Sequence, residues 1–406
     1  MTVDIFGPLL VIVLAGLAGP LLSVSRRSPF PAVVGELVAG VVLGRSGFGV
    51  IDPSKPTSAM LYGLGFVMVM LVAGSHLDLR SPGMRSGVRS ATAAFAVVAL
   101  LSVPAGVVLG QALAPATSVG LFVVLLAGSS AAVAIPVLEE RGLLGPEVGP
   151  LIAWIALADT VTVLLMPMTI TGPEHIPGAL LGDGLILAAT IAGLALAGRI
   201  ERSQTALGLR DQSRARGWAL QLRAALVMLV SFSLVAIVTG GSTLLAGFGV
   251  GVILARLREP QRLELQISGL AEGFFVPAFF VLLGAELDVR GLLGDPRAVG
   301  LAVAMAVVVV ATHLAAARVT RLAPWTGFGL AASAQLGLPA AAASLGLSTG
   351  TVHPSTAAAL VVAGCLTMIP ASLGTRQLAE ALGGGKPASG PEENPGPAAP
   401  ATGSST

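Results

Sequence analysis

Charge is scarce in this chain. Only 11% of its 406 residues are Asp, Glu, Lys or Arg, against the roughly 25% that keeps a soluble domain wetted. With 54% hydrophobic residues and a mean hydropathy of +0.88, a water-soluble globule is excluded, and lipid has to serve as the solvent. Cysteine is almost absent. Cys365 stands alone, which rules out an intramolecular disulfide and a cysteine metal site. No basic stretch is interleaved with aromatics, so nucleic acid is not an expected partner. No nucleophile sits beside a base and no metal-ligand cluster is seen, so neither enzymatic activity nor a cofactor is expected. The first apolar run, 5–22, lacks a basic leader and a small-residue cleavage pattern, and reads as a membrane helix rather than a removable signal.

Long apolar runs are abundant. A helix needs about 20 such residues to cross the hydrocarbon core. Charged or Pro/Gly-rich breaks divide the chain into thirteen candidates. They lie near 5–22, 30–48, 58–75, 88–113, 116–139, 147–170, 177–198, 216–239, 242–257, 268–287, 297–321, 325–347 and 354–375, with 242–257 the weakest. The expected class is an all-α polytopic membrane protein with about 13 transmembrane helices. Loop charge tests this division. Of the 23 basic residues, 18 fall on one side when loops are taken alternately from the one holding Arg26 and Arg27, and Lys55, Arg290 and Arg297 fall on the other. By the positive-inside rule the N-terminus is expected outside and the C-terminus in the cytoplasm of a cell membrane. Residues 1–382 read as the membrane domain. Residues 383–406, rich in Gly, Pro, Ala and Ser, read as a disordered cytoplasmic tail.

Two short segments recur. Gly40-Val-Val-Leu-Gly-Arg45 resembles Gly251-Val-Ile-Leu-Ala-Arg256, and Gly74-Ser-His-Leu-Asp-Leu-Arg80 resembles Gly284-Ala-Glu-Leu-Asp-Val-Arg290, at offsets of 211 and 210. The matched spans are seven helices apart, so the copies run in opposite directions across the bilayer. Inverted repeats of this kind, here about 30–170 and 242–375, build many secondary transporters, with the substrate near the midplane. Chance similarity in a Gly/Val/Leu-rich sequence is the alternative.

Ionisable groups at membrane depth are costly and call for a reason. Glu36, Asp183, Arg223 and Glu272 lie within about two turns of a span end, where shifted boundaries or snorkelling can bring them to the interface. Asp159 lies almost at the centre of 147–170, and His313 sits inside Val307-Val-Val-Val-Ala-Thr-His313. Loss of water disfavours an ionised carboxyl group, so a proton and a monovalent cation become alternative ways to neutralise Asp159. That competition suffices for antiport. The structural alternative is a neutral acid hydrogen-bonded to a neighbouring helix; for His313 it is a neutral ring bonded to a backbone carbonyl. Further oxygen ligands are expected from Gly128, Ser129 and Ser130 ahead of Pro136, and from Ser333-Ala-Gln335-Leu-Gly-Leu-Pro339. Proline frees a carbonyl and interrupts the helix, and paired interrupted helices mark transporter sites. Ordinary Gly/Ser/Ala helix packing is the alternative there.

With these features in place the sequence resembles monovalent cation:proton antiporters of the Kef/NapA-type branch. The resemblance rests on Pro31-Ala-Val-Val-Gly-Glu-Leu-Val-Ala-Gly-Val-Val-Leu-Gly44, Leu71-Val-Ala-Gly-Ser-His-Leu-Asp78, Ser129-Ser-Ala-Ala-Val-Ala-Ile-Pro-Val-Leu138 and Phe275-Val-Pro-Ala-Phe-Phe-Val-Leu-Leu-Gly284. It implies an inverted-repeat fold with two discontinuous crossing helices, a homodimer, and a core that moves elevator-fashion. It also implies Na+ or K+ and H+ as substrates, Asp159 as the essential acid, and Ser129 and Ser130 on the ligand stretch. His313, Thr160 and Gln335 are expected in coupling or supporting roles. Three positions depart from the family pattern. Ala158 stands where relatives carry an acid or amide, His313 where they carry a lysine, and Leu338 where Kef-like members place an acid. The first two changes together point to electroneutral exchange. No nucleotide-sensing domain follows the last span, so Kef-type regulation is not expected. A sodium-coupled organic-anion symporter of similar architecture and a non-transporting sensor are the alternatives.

Overall fold

The computed structural model describes residues 3–23, 32–75, 82–131, 134, 137–138, 141, 143, 146–170, 176–200, 202–257 and 260–382. The proposed tail therefore lies outside the described residues, as do Pro136 and the loop with Arg26 and Arg27. The chain is helical throughout, with no strand among the described residues. In order, the helices are α1 (Val3–Gly16), α2 (Ala18–Ser23), α3 (Ala32–Leu43), α4 (Pro56–Ser75), α5 (Pro82–Leu113), α6 (Val119–Ala127), α7 (Gly149–Ile170), α8 (Ile176–Ile200) and α9 (Gln204–Ala215). There follow α10 (Leu220–Thr239), α11 (Thr243–Ala255), α12 (Pro260–Leu270), α13 (Val276–Glu286), α14 (Val289–Gly294), α15 (Pro296–Val319), α16 (Trp325–Ala332), α17 (Gly337–Thr349) and α18 (Pro354–Leu382).

Backbone polar groups find no water in a bilayer core, so a spanning segment satisfies them within its own helix. Nine helical stretches among the described residues are long and apolar enough to cross, and three shorter apolar ones are Phe6–Leu22, Ala32–Leu43 and Thr243–Ala255. The fifth expected span, 116–139, is a short helix, α6, followed by non-helical residues 128–130 and a return to helix at Ala131. The long-helix count thus differs from thirteen because several spans are short or interrupted. The weakest expected span, 242–257, is helical as α11. At 13 residues and 1.5 Å per residue, α11 is about 20 Å long, and it runs through the protein interior rather than facing lipid.

The helices pack in two sets. In one, α3 lies on α13, α4 on α11 and α13, and α8 and α10 on α11. In the other, α5 lies on α6, α7 and α15, while α18 covers α15, α16 and α17. Lipid offers no hydrophobic drive between helices, so close packing through small residues takes over. The glycines of the recurring motifs make that contact. Gly40 of α3 faces the Val281 carbonyl of α13, and Gly284 of α13 faces the Leu37 carbonyl of α3. Likewise Gly251 of α11 faces the Leu71 carbonyl of α4, and Gly74 of α4 faces the Phe248 carbonyl of α11. A Cβ at any of the four would overlap the opposing backbone. Each motif glycine therefore meets the counterpart of the glycine met by its own counterpart. The outer face of α10 carries Val227, Val230, Leu234, Ile237 and Val238, all exposed, as lipid contact requires.

Candidate functional site

The site forms where two spans lose their helix. The chain after α6 is non-helical at 128–130, and between α16 and α17 it is non-helical at 333–336. The second break has a local cause. Pro339 sits in the first turn of α17, where proline is tolerated, but it has no N–H for the carbonyl four residues earlier. That carbonyl belongs to Gln335, and it accepts from the Thr367 hydroxyl on α18 at 3.2 Å. The Gln335 N–H in turn donates to Thr367 Oγ1 at 3.1 Å.

The two breaks are tied to each other. The Ser129 hydroxyl donates to the Ala332 carbonyl at 2.8 Å, and the Ser130 N–H donates to the Ala334 carbonyl at 2.9 Å. In the reverse direction, Gln335 Nε2 donates to the Gly128 carbonyl at 2.5 Å. These three bonds satisfy backbone groups that the interrupted helices leave without intrahelical partners. Gly337 opens α17 beside Ser130, and a Cβ there would stand 3.3 Å from the Ser130 hydroxyl oxygen.

Asp159 reaches this crossing from the middle of α7. It is 5% exposed, and its Oδ2 accepts from the Ala131 N–H at 3.1 Å. Ala131 is the first helical residue after the break, so the acid caps the positive end of a half-helix, where N–H groups lack intrahelical partners. Among the described residues no other donor bonds the carboxyl group. One backbone N–H does not discharge a buried carboxylate, whose transfer out of water costs several kcal/mol. The arrangement suits a proton or a small cation as the remaining partner.

The other expected residues divide. Ser129, Ser130 and Gln335 stand at the crossing and are buried. Thr160 does not join it: its hydroxyl bonds back to the Ala156 carbonyl of its own helix at 2.7 Å. His313 is fully buried, its Nδ1 lies 2.8 Å from the Val309 carbonyl, and its ring stacks on Trp154 of α7 at 5.5 Å and 15°. A carbonyl only accepts, so Nδ1 carries the hydrogen. The histidine touches α7 five residues before Asp159 and shows no bond to the acid. Sequence reasoning missed Thr367, the Ala131 N–H, the carbonyls of Ala332 and Ala334, and Trp154. Counting four back from Pro339 to a freed carbonyl was the available signal for the Thr367 bond; the rest depend on which helices meet. Two acids near span ends are buried within the protein. Asp183 accepts from the Ser242 N–H at 2.7 Å, and Glu36 is 4% exposed.

The sequence matches the family described as sodium/hydrogen exchanger, transmembrane, over residues 9–381. The chain belongs to that family. A putative Na(+)/H(+) antiporter of Bacillus subtilis is 25% identical over 307 residues, which is 71% of this chain and 48% of the relative. The Na(+)/H(+)-K(+) antiporter GerN of Bacillus cereus is 23% identical, over 88% of this chain and 92% of its own length. The high-affinity Na(+)/H(+) antiporter NhaS3 of a Synechocystis strain is 26% identical, over 84% and 82%. The chain thus spans about half of the first relative and most of the other two. Among solved structures, the sodium proton antiporter MjNhaP1 of Methanocaldococcus jannaschii superposes with a TM-score of 0.61 at 17% identity, covering 93% of this chain and 97% of that one. That likeness carries the fold. The chain is a multi-pass membrane protein of a transporter family, and neither the organic-anion symporter nor the sensor reading is favoured.

Proposed function

We propose that this chain exchanges protons for Na+ or K+ across a cell membrane, and that both compete for one carboxyl group, Asp159. The observation that supports the assignment is the Ala131 N–H bond to Asp159, which ties the acid at the centre of α7 to the crossing of two interrupted spans. Ser130, whose hydroxyl faces the start of α17, is the side-chain ligand we assign beside the acid. Ser129 and Gln335 hold the crossing closed through backbone carbonyls. His313 supports α7 through Trp154 rather than pairing with Asp159.

The names of the relatives bring both sodium and potassium into consideration. Ala158 next to the acid and His313 at the expected lysine position leave a single ionisable carboxyl at the crossing, which supports one proton per cation. The reciprocal contacts of Gly40, Gly74, Gly251 and Gly284 support a duplicated, inverted unit, with repeats near 30–170 and 242–375. The two helix sets correspond to a static scaffold and a moving core in a homodimer. The charge asymmetry of the loops supports an external N-terminus and a cytoplasmic C-terminus.

The test is reconstitution into liposomes holding a pH dye, pulsed with sodium or potassium. Wild type should move protons in response to at least one cation, and Asp159→Asn should abolish the response. A response surviving in Asp159→Asn would refute the site. An imposed membrane potential should leave the rate unchanged; a strong voltage effect would refute one-for-one exchange.

A further inference from the structure

A cavity of about 550 Å³ lies between the two helix sets. Its inner wall is the crossing itself, where Ser130, Leu336 and Gly337 line it. Two acids line it elsewhere, Glu36 of α3 and Glu272 ahead of α13, and no basic side chain does among the described residues. The rest of the wall is mainly apolar. A cleft with one sign of charge and low-dielectric walls concentrates counter-ions.

Glu36 is the group that calls for an explanation. It is 4% exposed, and its Oε2 is buried without a hydrogen-bond partner among the described residues. Room for the carboxyl comes from Gly19 of α2, where a Cβ would stand 2.9 Å from Glu36 Oε1. A buried carboxylate with one oxygen unpartnered is costly, and a bound cation or proton relieves that cost. Glu272, by contrast, is exposed. It belongs to a five-residue π-helical segment, Ala271–Phe275, a distortion frequent at functional sites. An exposed acid, a buried acid and the crossing therefore line a single cavity.

We infer that Glu36 is an accessory binding site for the transported monovalent cation, a waypoint between the cavity rim at Glu272 and Asp159. This deepens the proposed function and rests on it. Cations drawn in by Glu272 would occupy Glu36 before the crossing opens to Asp159.

The experiment uses purified full-length protein and radioactive sodium binding, alongside proton–sodium exchange in liposomes. Asp159→Asn should keep a weaker, saturable sodium site. Adding Glu36→Gln should remove it, and adding Glu36→Asp, which keeps the carboxyl group, should retain part of it. On the wild-type background, Glu36→Gln should raise the KM for sodium about tenfold, in line with the loss of local counter-ion enrichment, and leave kcat unchanged. If Asp159→Asn binds no sodium, or binds it equally well after Glu36→Gln, the accessory site is overturned and Glu36 is a protonated packing group. If wild type itself exchanges no cation for protons, the proposed function fails instead.

Discussion

Replacing Gln335 by leucine isolates one part of the crossing. The side chains are similar in size, and Gln335 is 1% exposed, so packing is largely kept while the bond from Nε2 to the Gly128 carbonyl is lost. Gly128 is buried, and a buried acceptor left without a donor costs about 1–3 kcal/mol. At about 1.4 kcal/mol per tenfold, that range is roughly fivefold to 140-fold in any equilibrium that requires both breaks to be docked. The Ser129 hydroxyl bond to Ala332 and the Ser130 N–H bond to Ala334 remain. The effect should therefore fall near the lower end, about fivefold to tenfold in the KM for the cation. Liposome assays across a cation titration, paired with thermal unfolding in detergent, measure both consequences. Gln335→Leu should raise KM, lower the unfolding temperature by a few degrees and leave Asp159-dependent turnover intact at saturating cation. A KM and an unfolding temperature both indistinguishable from wild type would show that the bond between the breaks contributes nothing.

Three further outcomes follow from the same geometry. Thr367→Val removes the acceptor of the Gln335 N–H and the donor to its carbonyl, and should cost about 1–3 kcal/mol in unfolding free energy; calorimetry or denaturant titration in detergent checks it. With proton and cation sharing Asp159 as proposed, lowering the pH should raise the KM for the cation while the maximal rate at saturating cation stays constant; a fall in that maximal rate with unchanged KM would contradict a shared site. Gly40→Ala and Gly251→Ala each drive a methyl into an opposing backbone carbonyl, and each should cost about 1–3 kcal/mol as overpacking does; markedly unequal losses in thermal unfolding would speak against equivalent contacts.

Much of the architecture was legible in the sequence because a bilayer permits few solutions. Apolar runs of spanning length identify α4, α5, α7, α8, α10, α15 and α18 directly. The short α11 was the least certain because 13 residues is the length of an ordinary core helix, and its glycine contacts with α4 are invisible without the partner. The candidate site was legible through Asp159, whose charge has no cheap place at mid-membrane, and the structure sets that residue at the crossing. Its partners were half legible. Serines and prolines announced the two breaks, but proline reports a break a turn upstream of itself, so residues 333–336 rather than Pro339 carry the exposed backbone. Glu36 was misjudged for a physical reason. Distance from a span end favours snorkelling when the helix faces lipid or water, whereas α3 is pressed between α2 and α13, and the glutamate turns into the internal cavity.

The crossing explains why these two spans are broken at all. An interrupted helix in lipid leaves several N–H and C=O groups without partners, each costing several kcal/mol. A single break would be prohibitive. Two breaks placed against each other nearly cancel, because each supplies what the other lacks. Ala332 and Ala334 offer carbonyls to Ser129 and Ser130, Gly128 offers one to Gln335, and Thr367 closes the gap left by Pro339. What remains uncompensated is the carboxyl group of Asp159, which receives one N–H from Ala131. Backbone polarity at the crossing is thus satisfied within the protein, and one negative charge is left for something that comes and goes. A site built in this way cannot rest empty and ionised without cost, and in the proposed exchange that cost is what would couple the arrival of a cation to the departure of a proton.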